Sequence, residues 1–92
     1  MSYRVEILNE AQVDIDKHTR SGRKDIVKKI GDFISELETH PRTGTGKPER
    51  LRYMDGELWS RRIDNRHRLV YEIAEERLTV IAISAFGHYM DK

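Results

Sequence analysis

Residues 58–73 read LWSRRIDNRHRLVYEI. On either side of Asp64-Asn65-Arg66 the side chains alternate, as they do in strands that bury one face. In the first half Trp59, Arg61 and Ile63 share one side, and Ser60, Arg62 and Asp64 share the other. In the second half Leu69, Tyr71 and Ile73 oppose Arg68, Val70 and Glu72. The pattern predicts an antiparallel pair whose core face carries Trp59, Ile63, Leu69, Tyr71 and Ile73. Arg62 and Arg68 then emerge together on the opposite face. Two guanidiniums there form a receptor for an anion, since their planar forks match phosphate geometry. The alternative is that they pair with Asp64 and Glu72 on a solvated surface.

Upstream, Leu51–Met54 reads as a further strand, joined to Leu58–Ile63 by a tight turn at Asp55-Gly56. Residues 41–48, PRTGTGKP, carry two Gly and two Pro and are expected to form a loop. Before that loop, Ile26, Ile30, Phe33, Ile34 and Leu37 recur at helical spacing, and Pro41 ends the pattern. A shorter helix is expected from about Glu10 to Ser21-Gly22, with Ala11, Ile15 and His18 on one face. Asn9 is its expected N-cap, with Gln12 as the reciprocal capping-box partner. Tyr3–Leu8 alternates as a first strand, with Tyr3, Val5 and Ile7 inward. Downstream of the hairpin, Leu78–Phe86 is apolar on both parities and should lie inside the sheet. The expected class is α+β with order β-α-α-β-β-β-β, a two-helix hairpin packed on one face of a mostly antiparallel, twisted sheet.

With 92 residues the chain is expected to form a single domain, 1–92. It has no Cys, so disulfide staples and thiolate metal sites are absent, which fits a reducing cytosol. Neither a signal-peptide apolar segment nor a run of about 18 apolar residues occurs, so no membrane segment is expected. Net charge is only +1, but residues 41–71 hold eight Lys or Arg against four Asp or Glu. Such a local cationic region attracts polyanions even on a nearly neutral molecule. Lys47, Arg50 and Arg52 fall within it and read as guides for a nucleic-acid backbone.

Two further groups join the arginine pair. Glu49 follows the Gly-Lys-Pro loop at the mouth of the sheet, and His88 lies just past the last strand, in FGHYMDK. A glutamate is ionised at neutral pH and an imidazole is partly protonated, so they suit the base and acid of a phosphodiester reaction. RNA supplies its own nucleophile, the 2′-OH. A ribonuclease of this type needs only a base, an acid and cations around the phosphorane. No cofactor is expected. His18, His40 and His67 lack the close pairing of a metal site and are read as structural or exposed.

GKPERL at 46–51, WSRRIDNRHRLVYEI at 59–73 and GHY at 87–89, together with IVKKI at 26–30, resemble the YoeB/Txe family of the RelE/ParE toxin superfamily. The resemblance covers nearly the whole chain. It implies a RelE/YoeB-like toxin of a type II toxin–antitoxin module, a ribosome-dependent endoribonuclease that cleaves messenger RNA in the ribosomal A site. By motif, Glu49 resembles the family's general base, His88 its general acid and Tyr89 the tyrosine beside the acid. Arg62 and Arg68 match the arginines on the scissile phosphate, with Lys47 and Arg52 as added cations. Phe86 stands where relatives commonly carry a basic residue, and Met90-Asp91-Lys92 continue past the tyrosine. Implied partners are a cognate YefM/Phd-like antitoxin, the ribosome and messenger RNA in a bacterial cytoplasm. A homodimer or a toxin–antitoxin hetero-oligomer is compatible with this resemblance. The alternative reading is a non-catalytic toxin of the ParE type, or an RNA- or protein-binding module of the same fold.

Overall fold

The computed structural model describes residues 2–52 and 55–87. The elements run β1 (Arg4–Ile7), α1 (Asn9–Arg20), α2 (Lys24–Leu37), β2 (Glu49–Arg50), β3 (Leu58–Arg62), β4 (Arg68–Ala74), a 3-10 turn (Glu75–Arg77) and β5 (Thr79–Ser84). The sheet order is β1-β5-β4-β3-β2. β1 runs parallel to β5, and the other three pairings are antiparallel. The predicted α+β order therefore holds, and β5 lies inside the sheet, as its two-sided apolar pattern requires.

α2 supplies the deepest part of the core. Ile26, Ile30, Phe33 and Leu37 are buried along one stripe, as successive helical turns place them. They cluster with Ile63, Leu69, Tyr71, Ile73, Val80 and Ala82 from the sheet and Ala11 from α1. Tyr3, Val5, Ile15, Ile34 and Trp59 pack on the margin of this cluster. The inward set predicted for the hairpin is thus the set that meets the helices.

Four local expectations are corrected. The capping box at Asn9 does not form: α1 already includes Asn9, Leu8 is its N-cap, and the cap lacks a side-chain hydrogen bond. Gln12 instead donates its side-chain amide to Asp16, one turn ahead, at 3.1 Å. β2 occupies Glu49–Arg50 rather than 51–54, with Glu49 opposite Ser60 and Arg50 opposite Trp59. The connection to β3 is therefore longer than a two-residue turn, with Gly56 at φ 78° (residues 53 and 54 lie outside the described set). Ile7, expected inward, is 39% exposed at the end of β1, an edge strand of the sheet. Finally, β5 is confined to Thr79–Ser84, shorter than the 78–86 expected.

The remaining turns follow the sequence. Asp64 Oδ1 accepts the N–H groups of Arg66 and His67 at 2.8 and 2.9 Å, the self-bonding that makes Asp a turn former. Pro41 is preceded by the end of α2, whose C-cap is Glu38. No helix among the described residues is long and apolar enough to cross a membrane.

Candidate functional site

Pleating of β3 sends Arg61 and Arg62 to opposite faces, and the two arginines acquire unrelated surroundings. Arg61 is fully buried beneath α2 and the loop that follows it. Its Nε donates to Tyr71 Oη at 3.1 Å, Nη1 to Glu36 and to Thr45 O at 3.2 Å, and Nη2 to His40 O at 2.7 Å and Thr43 O at 2.9 Å. Tyr71 in turn donates its hydroxyl to Pro41 O at 2.8 Å. The guanidinium therefore gathers the 40–45 loop onto the core. The alternation placed Arg61 on the inward side, yet it assigned this residue no task. The available signal was an arginine at an apolar position facing a Gly- and Thr-rich loop whose carbonyls need donors.

Glu36, the carboxylate in this network, is raised by burial. The Thr45 backbone N–H, Arg61 and the Thr45 hydroxyl outweigh that effect and hold it below the usual carboxylate range.

Arg62 lies on the other face, directly opposite Arg68 in the β3–β4 register. Such cross-strand neighbours have Cβ atoms about 4.5–5.5 Å apart, close enough for one phosphate to engage both. Arg62 is exposed and Arg68 half-buried. Among the described residues neither side chain has a hydrogen-bond or ion-pair partner. Asp64, the expected neutraliser, instead accepts the turn N–H groups and faces Arg23 at 3.5 Å. Burial raises its carboxyl, and the Arg66 and His67 N–H groups reverse this to a net lowering. Two like charges held side by side without a counterion favour a bound anion.

Glu49 lies on the same face, because it pairs with Ser60 and Ser60 is two residues from Arg62. It is exposed. The face is not bare: Leu58, Ser60 and Val70 are buried between the charged positions, giving the arginines an apolar and hydroxyl floor.

Lys47 approaches through the loop. The Arg62 N–H donates to Gly46 O at 2.7 Å, and Lys47 follows in the left-handed region at φ 51°. Arg52 is placed differently. It follows Leu51, whose N–H is bonded to Leu58 O at the far end of β3 from Arg62. The structure therefore brings Arg62, Arg68, Glu49 and the Lys47 loop to one side and one end of the sheet, and sets Arg52 towards the other end. His88 and Tyr89 lie outside the described residues. Gly87, the residue before them, accepts the Arg68 N–H at 2.9 Å.

A family model for the YoeB-like toxin of bacterial type II toxin–antitoxin systems matches residues 9–89. Toxin YoeB of Escherichia coli (strain K12) is 44% identical over 59 residues, which are 64% of this chain and 70% of that protein. A YoeB/ParE toxin from Agrobacterium tumefaciens superposes with a TM-score of 0.83 at 32% identity, covering 94% of this chain and 99% of that one. The toxin of a YoeB–YefM complex from Staphylococcus aureus gives a TM-score of 0.77 at 28% identity, covering 97% and 100% respectively. The two-helix layer on a mixed five-stranded sheet is the architecture of these toxins, and the chain belongs to the family of YoeB-like toxins of bacterial type II toxin–antitoxin systems.

Proposed function

We propose that this toxin is an endoribonuclease that cleaves messenger RNA in the ribosomal A site by acid–base catalysis. The observation that carries this reading is the register pairing of Arg62 with Arg68 on the helix-free face, without a carboxylate partner among the described residues and with Glu49 on the same side. Glu49 takes the proton of a ribose 2′-OH as its oxygen attacks the adjacent phosphorus. Arg62 and Arg68 stabilise the charge that builds on the phosphorane oxygens. His88 protonates the departing 5′ oxygen, with Tyr89 beside it. The products are a 2′,3′-cyclic phosphate and a 5′-hydroxyl. Lys47 and Arg52 hold flanking phosphates. Alignment of the 2′ oxygen with the phosphorus is left to the ribosome, so cleavage of free RNA is slow.

The partner in the cell is a YefM-like antitoxin that lays acidic and apolar side chains over the arginine face and its Leu58–Val70 floor. The YoeB–YefM assembly of the Staphylococcus aureus relative supports this assignment. The action is in the bacterial cytoplasm, where translating ribosomes are.

The test is to map RNA ends in a translating extract containing wild type, Glu49→Ala, Arg62→Ala or His88→Ala toxin. Wild type is expected to produce A-site cuts with cyclic phosphate ends. The variants are expected to cut at least about 100-fold more slowly, the scale of a lost acid, base or oxyanion donor. Equal cutting by all four proteins would refute the residue assignments. No cutting by any would favour a non-catalytic toxin.

A further inference from the structure

After β5 the chain leaves the sheet through Ala85, Phe86 and Gly87, and the backbone of this exit segment is held from two sides. From α1, Asp14 accepts the Ala85 N–H at 2.9 Å, and His18 Nε2 donates to Ala85 O at 2.9 Å. From the start of β4, His67 Nδ1 accepts the Gly87 N–H at 2.9 Å, and the Arg68 N–H donates to Gly87 O at 2.9 Å. The rings form a cluster above these bonds. His18 meets His67 edge-on at 4.7 Å and stacks on Phe86 at 5.0 Å, while His67 lies 4.6 Å from Phe86. Lys17 Nζ lies 5.0 Å over the Phe86 ring. Gly87 turns the chain at φ 74°, a conformation that a side chain would resist.

We propose that His67 is a positioning residue: by accepting the Gly87 N–H it fixes the exit of β5 against Arg68, and its protonation releases that exit. The inference rests on the ribonuclease reading, since Gly87 immediately precedes the residue assigned as the acid. An imidazole nitrogen accepts a hydrogen bond only when it carries no proton, so the bond requires neutral His67 with its hydrogen on Nε2. The charged ring would turn an N–H towards the Gly87 N–H and lose the contact. His18 behaves differently, because its Nε2–H is a donor in either charge state. Of these two histidines, His67 is the one whose bond depends on its charge.

The surroundings favour the closed form at neutral pH. Burial pushes His67 below the ordinary histidine value, Asp64 pulls it back up, and His18, Arg66 and Arg23 push it down again. Arg68 follows it in the chain, and Asp14 and Lys17 of α1 face the Ala85–Phe86 side of the cluster. A histidine depressed in the folded state contributes stability above its unfolded value, about 6.5, and loses it as the pH falls through the folded value. The exit should thus be tight at pH 7.5 and loose in mild acid.

The test reads the Gly87 amide by NMR hydrogen exchange in the full chain, and RNA cleavage in parallel. In the wild type, Gly87 protection is expected to fall severalfold between pH 7.5 and pH 5.5, up to the roughly tenfold that a histidine titrating near 6.5 in the released state allows. His67→Asn keeps an acceptor near the Nδ1 position and should retain protection without the pH dependence. His67→Phe keeps a packed ring without an acceptor and should lose protection at both pH values, with Ile73 and Val80 amides unchanged as the folding control. In the translating extract His67→Phe should cut about 10–100-fold more slowly and His67→Asn near the wild-type rate, as expected for misplacement by about 1 Å. Wild-type protection of Gly87 in His67→Phe, or undiminished cutting by that variant, would overturn the proposal. Failure of the ribonuclease reading would look different: Gly87 would still follow His67 while the wild type left RNA intact.

Discussion

Replacement of Arg61 by methionine should be among the most damaging single changes to this protein that leave the anion face untouched. The substitution keeps most of the aliphatic volume between Phe33 and Tyr71, whose rings lie 5.7 Å from the guanidinium carbon. What it removes is a set of charged donors to one carboxylate, one phenol and three loop carbonyls. Charge-assisted bonds contribute roughly 1.5–3 kcal/mol each when lost singly. Simple addition would overshoot, because Thr43, Gly44 and Thr45 are exposed and their loop can lift to let water reach the carbonyls. Breaking one side of a buried ion pair typically costs about 3–5 kcal/mol, and that is the expected loss here. For a domain of this size it lowers Tm by at least about 12 °C. Urea unfolding followed by the fluorescence of Trp59 measures it, since this is the protein's sole tryptophan. Glu36→Gln separates the causes: its side chain is 26% exposed and glutamine still accepts, so the cost should be about 1 kcal/mol. A loss below about 1 kcal/mol for Arg61→Met, or equal losses for the two variants, would refute the view that loop carbonyls dominate the energy.

Two further tests address the same scaffold. A Cβ at Gly46, which sits at φ 80°, would lie 2.6 Å from Phe33 Cζ and 3.1 Å from Arg61 Cβ; Gly46→Ala should cost about 2–5 kcal/mol by urea unfolding. Gly31→Ala meets open space in the middle of α2 and should instead stabilise by about 0.5–1 kcal/mol, so equal effects would refute the packing argument. Arg42 bonds Glu57 at 2.7 and 2.9 Å and Glu75 at 2.9 Å, and it holds both carboxyls below their usual range. Carboxylates lowered by folding contribute stability above their unfolded values, near pH 4.3, and lose it as the pH falls through the folded ones. The deficit of Arg42→Met relative to wild type should therefore be present at pH 7 and shrink towards pH 3; an unchanged deficit would refute the ion-pair account.

The element order, the inward residues of the hairpin and the helix-free position of Arg62 and Arg68 were legible because each is set by a period. A strand alternates every two residues and a helix every three or four, and those patterns survive wherever one face is buried. What escaped was decided by contacts between distant segments. β2 slid to Glu49–Arg50 because its register is fixed by pairing with Trp59 and Ser60, and Asp55-Gly56 does not dictate the loop length. Asn9 lost the cap to Leu8 because Leu8 O already accepts the Gln12 N–H at 2.9 Å, the first bond of α1, while the Leu8 N–H is tied to Ala82 O of β5 at 3.1 Å. The Phe86–His18–His67 cluster joins residues far apart in sequence, and no local pattern announces it.

Arg61 and Arg62 show how a single step along a strand separates structure from chemistry. Both are arginines, one residue apart, and composition counts them alike as cations for a polyanion. Pleating gives Arg61 five acceptors and no solvent, so its charge is consumed within the fold. Arg62 receives another arginine across the ladder and no acid among the described residues, so its charge stays available. A shift of the β3 register by one residue would exchange these environments, burying an unpaired guanidinium and leaving the 40–45 loop without donors. The network around Arg61 therefore does more than stabilise. By making every other register costly, it specifies that Arg62 faces Arg68, and through the Gly46 carbonyl on the Arg62 N–H it fixes the loop that delivers Lys47 and Glu49 to the same end of the sheet.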